Sequence, residues 1–392
     1  MKLKLALLSL LLVAPAHAES YRAPPSDPPF EFTDALRVLS SVAACDGTSP
    51  PERFDAATVA AHCKGIKTIF DDYEKRWATP ARPFFAGSSG IVPKDIPKTV
   101  VYPFGGADLL TALAVFPDLQ EITSVSLEAG GDPRSILRTA PEELVKHLAV
   151  HRRFMAQLVK FNHSRTLDLS LLKGTPLPSQ MIFALVGLHV HGYEPIGLRA
   201  LRLEPDGSIH YFTDVDLLAA DKQVEGLKGS MRNRKLNDLF AGYELRFKKR
   251  GVANAPGQTY RHFQANLAND ELARDGRILK HLATKGPLTA ITKAASYLLW
   301  WGNFKTIREF LMEKVVWMIS DSTGLNPMHL SPDRWEQTTY GRFSGTFLKS
   351  SAEGVTALEA LYAAQLKRPL PFDYFGYPDR YKHGHLIVTR RK

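Results

Sequence analysis

The sequence predicts an α/β protein, with a mixed, partly parallel sheet covered by helices on both faces and an N-terminal helical cap. Aliphatic runs at 99–102 and 122–127 flank a helical pattern at 107–116, and so short a strand–helix–strand unit has to be a right-handed parallel crossover. After residue 179, strand and helix patterns both occur, whereas residues before 96 show only helical periodicity. We therefore divide the chain into a leader (1–18), a helical region (19–95) and an α/β domain (96–392).

The leader has the pattern of a secretory signal peptide. Lys2 and Lys4 precede an apolar stretch at 5–13 that is too short to span a bilayer. Ala16-His17-Ala18 is a small-x-small cleavage site, which predicts a mature chain that begins at Glu19. We expect an exported protein, periplasmic or extracellular, that is soluble after cleavage.

The helical region contains both cysteines of the chain. Cys45 lies near the end of a helix predicted from about Thr33, and Cys63 lies within a helix predicted from about Asp55 to Trp77, so a bond between them would join the two helices. In an oxidising compartment two cysteines are expected to form a disulfide. A metal-binding or nucleophilic role is the alternative, but His62 is the one nearby histidine, so the sequence predicts the disulfide.

Elements of the α/β domain follow from periodicity and turn residues. We predict strands at 99–102, 122–127, 196–203, 208–213, 243–248, 259–264, 315–319 and 386–389. We predict helices at 107–116, 140–161, 179–191, 270–283, 291–300 and 304–314. Asp206-Gly207 indicates a hairpin between the third and fourth strands.

The net charge restricts the classes of partner. The formal charge of +10 falls to +8 without the leader's two lysines. The basic residues are dispersed, which favours an ordinary solvated surface; the alternative is attraction to an anionic envelope polymer or a membrane surface. Nucleic acid is not expected as a partner of an exported protein. Hydrophobic and charged contents of 44% and 23% are those of a globular protein.

One segment has the pattern of a ligand site. Its candidate residues are Tyr102, Phe104, Gly105, Gly106, Asp108 and Glu128. Ligands of open α/β sheets bind at the carboxyl ends of strands, where glycines let the backbone approach the ligand. Glu128 lies 22 residues after Gly106, at the end of the next strand, where an acid can accept hydrogen bonds from ribose hydroxyls. The alternative is a tight turn whose glycines serve packing alone.

In this order of elements, residues 98–132 resemble the first half of a class I methyltransferase or another Rossmann-like nucleotide fold. The resemblance implies a Rossmann-like sheet. At the N-terminus of the helix predicted from Ala107, free backbone N–H groups and the positive end of the helix dipole favour a small polar or anionic ligand over Gly105-Gly106. An exported protein does not normally meet cytosolic S-adenosylmethionine, NAD or ATP, so no cofactor is predicted.

The chain after the leader is also similar to an exported bacterial family for which the resemblance implies no activity. The segments that carry this similarity are Tyr102–Asp108, Lys293–Leu299, Ile307-Arg308, Ser320–Gly324 and Tyr340–Gly345. It predicts that these segments belong to one structural unit.

Catalytic and metal signatures are weak. Asp321, after a buried strand, is a candidate general base, but a self-satisfied Asp/Ser turn is the simpler interpretation. The sequence has neither a Gly-x-Ser-x-Gly nor a His-Glu-x-x-His motif. Of two histidine pairs, the first, His189 and His191, would face apart on a helix, whereas the second, His383 and His385, could share a metal on a strand. Ordinary surface or core histidines are the simpler interpretation, and no metal site is predicted. We conclude that the sequence predicts a ligand site of unassigned reaction; the alternative is a non-catalytic envelope or surface interaction protein on an α/β scaffold.

Overall fold

The computed structural model describes residues 27–106, 108–161, 172, 175–293, 295–320, 324–343, 352–372 and 384–392. The predicted leader lies outside these residues. Within the described ranges, no helix combines the length and the apolar character needed to cross a membrane.

Ten strands form one mixed sheet. The strands are β1 Thr99–Pro103, β2 Glu121–Ser126, β3 Tyr193–Leu203, β4 Ile209–Tyr211, β5 Gly242–Lys249, β6 Gln258–Gln264, β7 Leu288–Thr292, β8 Val315–Ser320, β9 Trp335–Gly341 and β10 His385–Arg391. Their order across the sheet is β4-β3-β5-β6-β2-β1-β7-β8-β10-β9. This is the mixed α/β sheet that the sequence predicts.

The middle of the sheet is parallel. Strands β6, β2, β1, β7 and β8 pair in parallel, and the flanking strands pair antiparallel. The predicted pairing of the first two strands is confirmed, with Val100 opposite Ile122 and Tyr102 opposite Ser124. After β1 the chain adds β2 and later β6 on one side of β1, and it then adds β7 and β8 on the other side. The strand order therefore reverses beside β1.

Helices cover both faces of the sheet. They are α1 Thr33–Val38, α2 Ala56–Tyr73, α3 Thr79–Ala86, α4 Leu109–Val115, α5 Ser135–Arg138, α6 Pro141–Phe161, α7 Ser179–Val190, α8 Asp214–Gln223, α9 Gly229–Leu239, α10 Asn269–Arg274, α11 Arg277–Ala283, α12 Lys305–Lys314 and α13 Ala352–Ala364. Side chains alternate between the faces of a strand, so Val100 and Tyr102 join one core while Val101 joins the other.

The predicted disulfide is present. Cys45, just after α1 and its π-helical extension, is bonded to Cys63 on α2 with an S–S distance of 2.02 Å. The helices of the N-terminal region pack into the same hydrophobic core as β1 and α4, so they cover the sheet as a cap.

Several elements differ from the sequence prediction. Residues 288–292 form a buried strand where a helix was predicted from 291, because a short apolar run does not distinguish a buried strand from a buried helix. The helix predicted at 270–283 is divided into α10 and α11. The elements that were not predicted are β9, α5, α8, α9 and α13. Helix α3 occupies a predicted loop, since Pro80 stands in the first turn, where its missing N–H is tolerated.

Candidate functional site

A cleft of about 150 Å³ lies at the carboxyl edge of the parallel strands, and we call it the first cleft. Four strands contribute to its lining. The segment after β1 contributes 104–106 and Asp108, β2 contributes 125–128, and 265–267 follow β6. Lys293, after β7, completes the floor. This is the edge at which open α/β sheets bind ligands.

Asp108 anchors a buried polar cluster on the floor of the first cleft. The Nζ atom of Lys293 lies 2.5 Å from Oδ2 of Asp108 and donates to Oγ1 of Thr111 at 2.6 Å. The hydroxyl of Tyr102 donates to the same Asp108 oxygen at 3.0 Å. All four side chains are buried, so the carboxylate charge is compensated inside the protein.

The helix after the turn begins later than predicted. Its first residue is Leu109, and Asp108 is the N-cap, accepting the N–H of Thr111 at 3.1 Å. Ala107, the predicted start, lies outside the described residues. Because the N-cap carboxylate already occupies the positive end of the helix, the expected attraction of an anionic ligand to that end is offset.

The turn between β1 and α4 has unusual backbone geometry. Phe104 has φ +62° and Gly106 has φ +52°, both in the left-handed region. That region is disfavoured for a bulky side chain, and such strain concentrates at ligand sites. The turn therefore holds Phe104 in a conformation that the surrounding contacts have to maintain.

Gly105 serves packing rather than ligand approach. A Cβ atom at this position would lie 2.6 Å from Cγ of Tyr102 and 2.7 Å from Oγ of Ser124. Its N–H donates to the carbonyl oxygens of Tyr102 and Val125, both at 3.1 Å. The turn thus includes the tight packing that the sequence left open as an alternative, and the N–H of Gly105 is not available to a ligand.

Glu128 carries the least compensated charge of the first cleft. Glu128 is 5% exposed, and its Oε1 atom has no hydrogen-bond partner among the described residues. The backbone holds it in place: its N–H donates to Oγ of Ser126 at 3.2 Å, and its carbonyl oxygen lies 2.7 Å from Nε2 of His262. A buried carboxylate oxygen without a hydrogen-bond partner costs folding free energy. This cost makes Glu128 a candidate ligand-binding residue.

His262 supports Glu128 as a neutral ring. Because a carbonyl oxygen only accepts hydrogen bonds, Nε2 of His262 carries the proton and donates a hydrogen bond to the backbone carbonyl of Glu128. Burial lowers the pKa of His262, although the contact with the Glu128 carbonyl and the charge of Glu128 oppose that shift. The ring stacks on Tyr243 with a centroid distance of 5.4 Å, so the support is rigid.

The side walls of the first cleft are apolar. Phe104 meets Phe304 edge to face, with centroids 5.8 Å apart. Leu127, Leu267 and Leu298 also line the walls. The cleft thus combines apolar walls with the carboxylate of Glu128, an arrangement that suits a ring bearing hydroxyl groups.

The structure brings all six predicted binding residues together, since Tyr102, Phe104, Gly105, Gly106, Asp108 and Glu128 line the same cleft. Asp321, the candidate catalytic acid, lies outside the described residues, as does His383 of the second histidine pair.

The first histidine pair has no metal-binding geometry. The ring of His191 is packed between Tyr73 and Arg82, and its burial together with Arg82 lowers its pKa to about 3. In the described part of the chain, no three His, Cys, Asp or Glu side chains are grouped as ligands of one metal ion.

Sequence reasoning missed the role of Lys293. The residue was noted only as part of a longer motif, because the segment before it was assigned to a helix. A lysine directly after the run Leu288–Thr292 is a sign of a strand end at a polar site, and that sign was present in the sequence.

The chain matches none of the protein-family models, curated proteins or solved structures with which it was compared.

Proposed function

We propose that this is an exported protein whose first cleft binds a small molecule through a hydroxylated ring, either a sugar or the ribose of a nucleoside. The observation that carries the proposal is Glu128, whose buried Oε1 atom has no partner among the described residues. A carboxylate accepts two hydroxyl donors well, and a bound diol would supply the hydrogen bonds that this oxygen lacks.

The charges of the first cleft favour a neutral or cationic ligand. Lys293 is paired with Asp108 at 2.5 Å, so it compensates that acid and not a ligand. Glu128 then leaves one net negative charge in the lining. An anion beside a buried carboxylate is repelled, so of the two classes that the sequence suggested, hydroxyl-rich ligands fit better than anionic ones.

The size of the cleft restricts what it encloses. A cavity of about 150 Å³ is the size that holds a benzene ring in an engineered protein core. One sugar or ribose ring fits, and any larger part of the ligand extends past Phe304 or Leu127 to the solvent. The edge-to-face aromatic pair offers an apolar wall to the ring carbons.

The order of strands supports the nucleotide-fold resemblance. Numbered along the chain, the five parallel strands follow the order 3-2-1-4-5 of the dinucleotide fold, and the first cleft lies where that order reverses. Strand β10 is inserted antiparallel between β8 and β9, as the last strand is in class I methyltransferases. Fold alone does not define the ligand, so the proposal depends on the site.

The disulfide supports export. A bond between Cys45 and Cys63 persists in oxidising compartments and is rare in the cytosol. A nucleoside or sugar is available outside the cytoplasm, whereas cytosolic cofactors are not.

The proposal is tested by thermal shift and titration calorimetry of the oxidised protein. The panel contains glucose, galactose, ribose, adenosine, adenosine monophosphate and S-adenosylmethionine. We expect at least one hydroxylated compound to raise the melting temperature, and we expect the monophosphate to bind more weakly than adenosine. The substitution Glu128→Gln should weaken the ligand ten- to a hundredfold, since a charged hydrogen bond contributes about 1.5–3 kcal/mol.

The matched control is Glu225→Gln, which removes an exposed glutamate outside the first cleft. It should bind as the parent does. If Glu128→Gln binds with the parent's affinity, or if every compound that binds does so away from the first cleft, the proposed function is wrong.

A further inference from the structure

A second cleft, of about 360 Å³, lies on the other side of Glu128. It is defined by Glu128, Ser179, Gln180, Asn237, Asp238 and Gln264 together with the neighbouring residues of its rim. The proposed function makes no use of it. Its lining includes a serine, and a buried histidine behind the lining is hydrogen-bonded to that serine from another helix.

Ser179, the first residue of α7, is hydrogen-bonded to His151 on α6. The distance between Ser179 Oγ and His151 Nε2 is 2.8 Å. The other ring nitrogen, Nδ1, lies 2.8 Å from the carbonyl oxygen of His147. Since that carbonyl only accepts, Nδ1 carries the proton, Nε2 is the acceptor, and the serine hydroxyl donates to it.

This arrangement is that of a serine activated by a base that is itself oriented by a third group. His151 is fully buried, and burial lowers its pKa to about 4, so the ring is neutral near pH 7 and its Nε2 lone pair accepts the hydrogen bond from the serine hydroxyl. Ser179 is half-buried and borders the cleft. A second, longer contact joins its Oγ to the Leu177 carbonyl at 3.4 Å.

Ser179 is the first residue of its helix. Helix α7 is 12 residues long and has no side-chain cap at its start, so the N–H groups of its first turn lack intrahelical acceptors. Such groups stabilise a developing oxyanion.

A buried side chain of the second cleft also has an oxygen without a partner in the described part of the chain. Gln180 is 2% exposed, and its Oε1 has no hydrogen-bond partner there. It gives the cleft an acceptor for a polar substrate.

We propose that the second cleft is a hydrolytic site for small carboxylic esters, with Ser179 as nucleophile and His151 as general base. The Ser179 Oγ forms a bond to the ester carbonyl carbon while its proton passes to Nε2 of His151. The C–O bond to the alcohol then breaks, and the same proton leaves with the alkoxide. Water repeats the sequence on the acyl-serine and releases the acid, so ester and water give acid and alcohol.

The proposal is tested on the full oxidised chain with a fluorophosphonate probe, which forms a stable adduct with activated serines. Intact-mass measurement should show one adduct, and peptide mapping should place it on Ser179. His151→Gln should slow adduct formation at least 100-fold, the usual contribution of a general base. Hydrolysis of p-nitrophenyl acetate should fall in parallel.

Two further variants complete the test. Ser179→Ala should abolish the adduct, while Ser208→Ala, which removes an exposed serine hydroxyl elsewhere, should leave the rate unchanged. Melting curves are recorded for each variant to show that it is folded. If His151→Gln unfolds, the loss of the adduct in Ser179→Ala and the mapped position of the adduct in the parent still decide whether Ser179 is the nucleophile. A folded parent without an adduct on Ser179, or an equal labelling rate in folded His151→Gln, overturns the proposal. Ligand binding in the first cleft is unaffected by either result.

Discussion

Buried acids on the two sides of this sheet have opposite surroundings. Glu244 on β5 is 3% exposed and accepts from Arg261 at 2.7 Å and from the hydroxyl of Tyr211 at 2.5 Å. Glu121, at the start of β2, is part-buried and is paired with Arg261 at 2.6 Å and also with Lys285. Glu128, just past the other end of β2, is about as buried as Glu244, yet its Oε1 has no partner among the described residues.

The comparison separates two uses of a buried carboxylate. At the amino end of β2, each acid has a cation, and Lys285 and Arg261 outweigh the burial that would otherwise raise the pKa of Glu121. At the carboxyl end, Lys293 is paired with Asp108, whereas Oε1 of Glu128 has no partner in the described part of the chain. Unsatisfied buried groups persist where function requires them, so the unpaired acid marks the site.

The largest effect is expected from removing the shared cation of the paired acids. Arg261→Met removes the cation that the two carboxylates share, which leaves Glu244 with Tyr211 and Glu121 with Lys285, and breaking a buried ion pair costs about 3–5 kcal/mol. Urea unfolding should show this loss, whereas Arg274→Met, at an arginine whose side chain is 71% exposed, should change the unfolding free energy by less than about 1 kcal/mol. Equal stability of the two variants would contradict the assigned role of Arg261.

Removing Lys293 should cost somewhat less, about 3 kcal/mol, because Tyr102 and the Thr111 N–H still donate to Asp108. The double variant Lys293→Met/Asp108→Asn removes both charges, so it should regain part of the lost stability. Chemical denaturation of the two single variants and the double variant measures the coupling. A strictly additive double variant would show that the pair is not coupled.

The third prediction concerns the pH dependence of the unfolding free energy, in the region where Lys285 and Arg261 pair with acids. His281 is buried near Lys285 and Arg261; burial and then Lys285 lower its pKa to about 4. The unfolded chain binds the proton near pH 6.5 and the folded chain only near pH 4, so stability is complete above pH 6.5 and falls as the pH drops through this window. The loss reaches at most about 3 kcal/mol by pH 4.

Unfolding of the parent and of His281→Gln between pH 4 and pH 7.5 measures this contribution. The variant should lose less stability on acidification than the parent does. An identical slope for both proteins would assign the acid sensitivity to other groups.

Much of the scaffold was predictable because its signals are local. The runs at 99–102 and 122–127 are aliphatic and short, and one helix between them allows only a parallel pairing. The grouping of the six candidate residues in one cleft was predictable for the same reason, since a turn after one strand and an acid after the next meet at one edge.

The partners in space were not predictable. Lys293 reaches Asp108 across 185 positions of sequence, and its strand was read as a helix. Ser179 and His151 belong to helices whose periodicity predicts their buried faces but not which side chains face each other. The helix starts at Leu109, two residues after the predicted start, so Asp108 is its N-cap. Periodicity does not resolve a difference of two residues at a helix end.

The smallest change in the free energy of unfolding is expected when the two buried glutamates, Glu244 and Glu128, are neutralised one at a time. This test separates their roles most clearly, because the two changes should have opposite signs. Glu244→Gln weakens contacts with Arg261 and Tyr211 and should destabilise the protein by about 1–3 kcal/mol. Glu128→Gln replaces a buried charge that lacks a partner by a neutral amide of the same shape, so it should raise the free energy of unfolding by about 1 kcal/mol. Paired urea titrations at pH 7.5 compare the two variants with the parent. Opposite signs would show that Glu128 is retained at a cost to stability, as binding groups often are; a loss as large as that of Glu244→Gln would mean that Glu128 serves the fold.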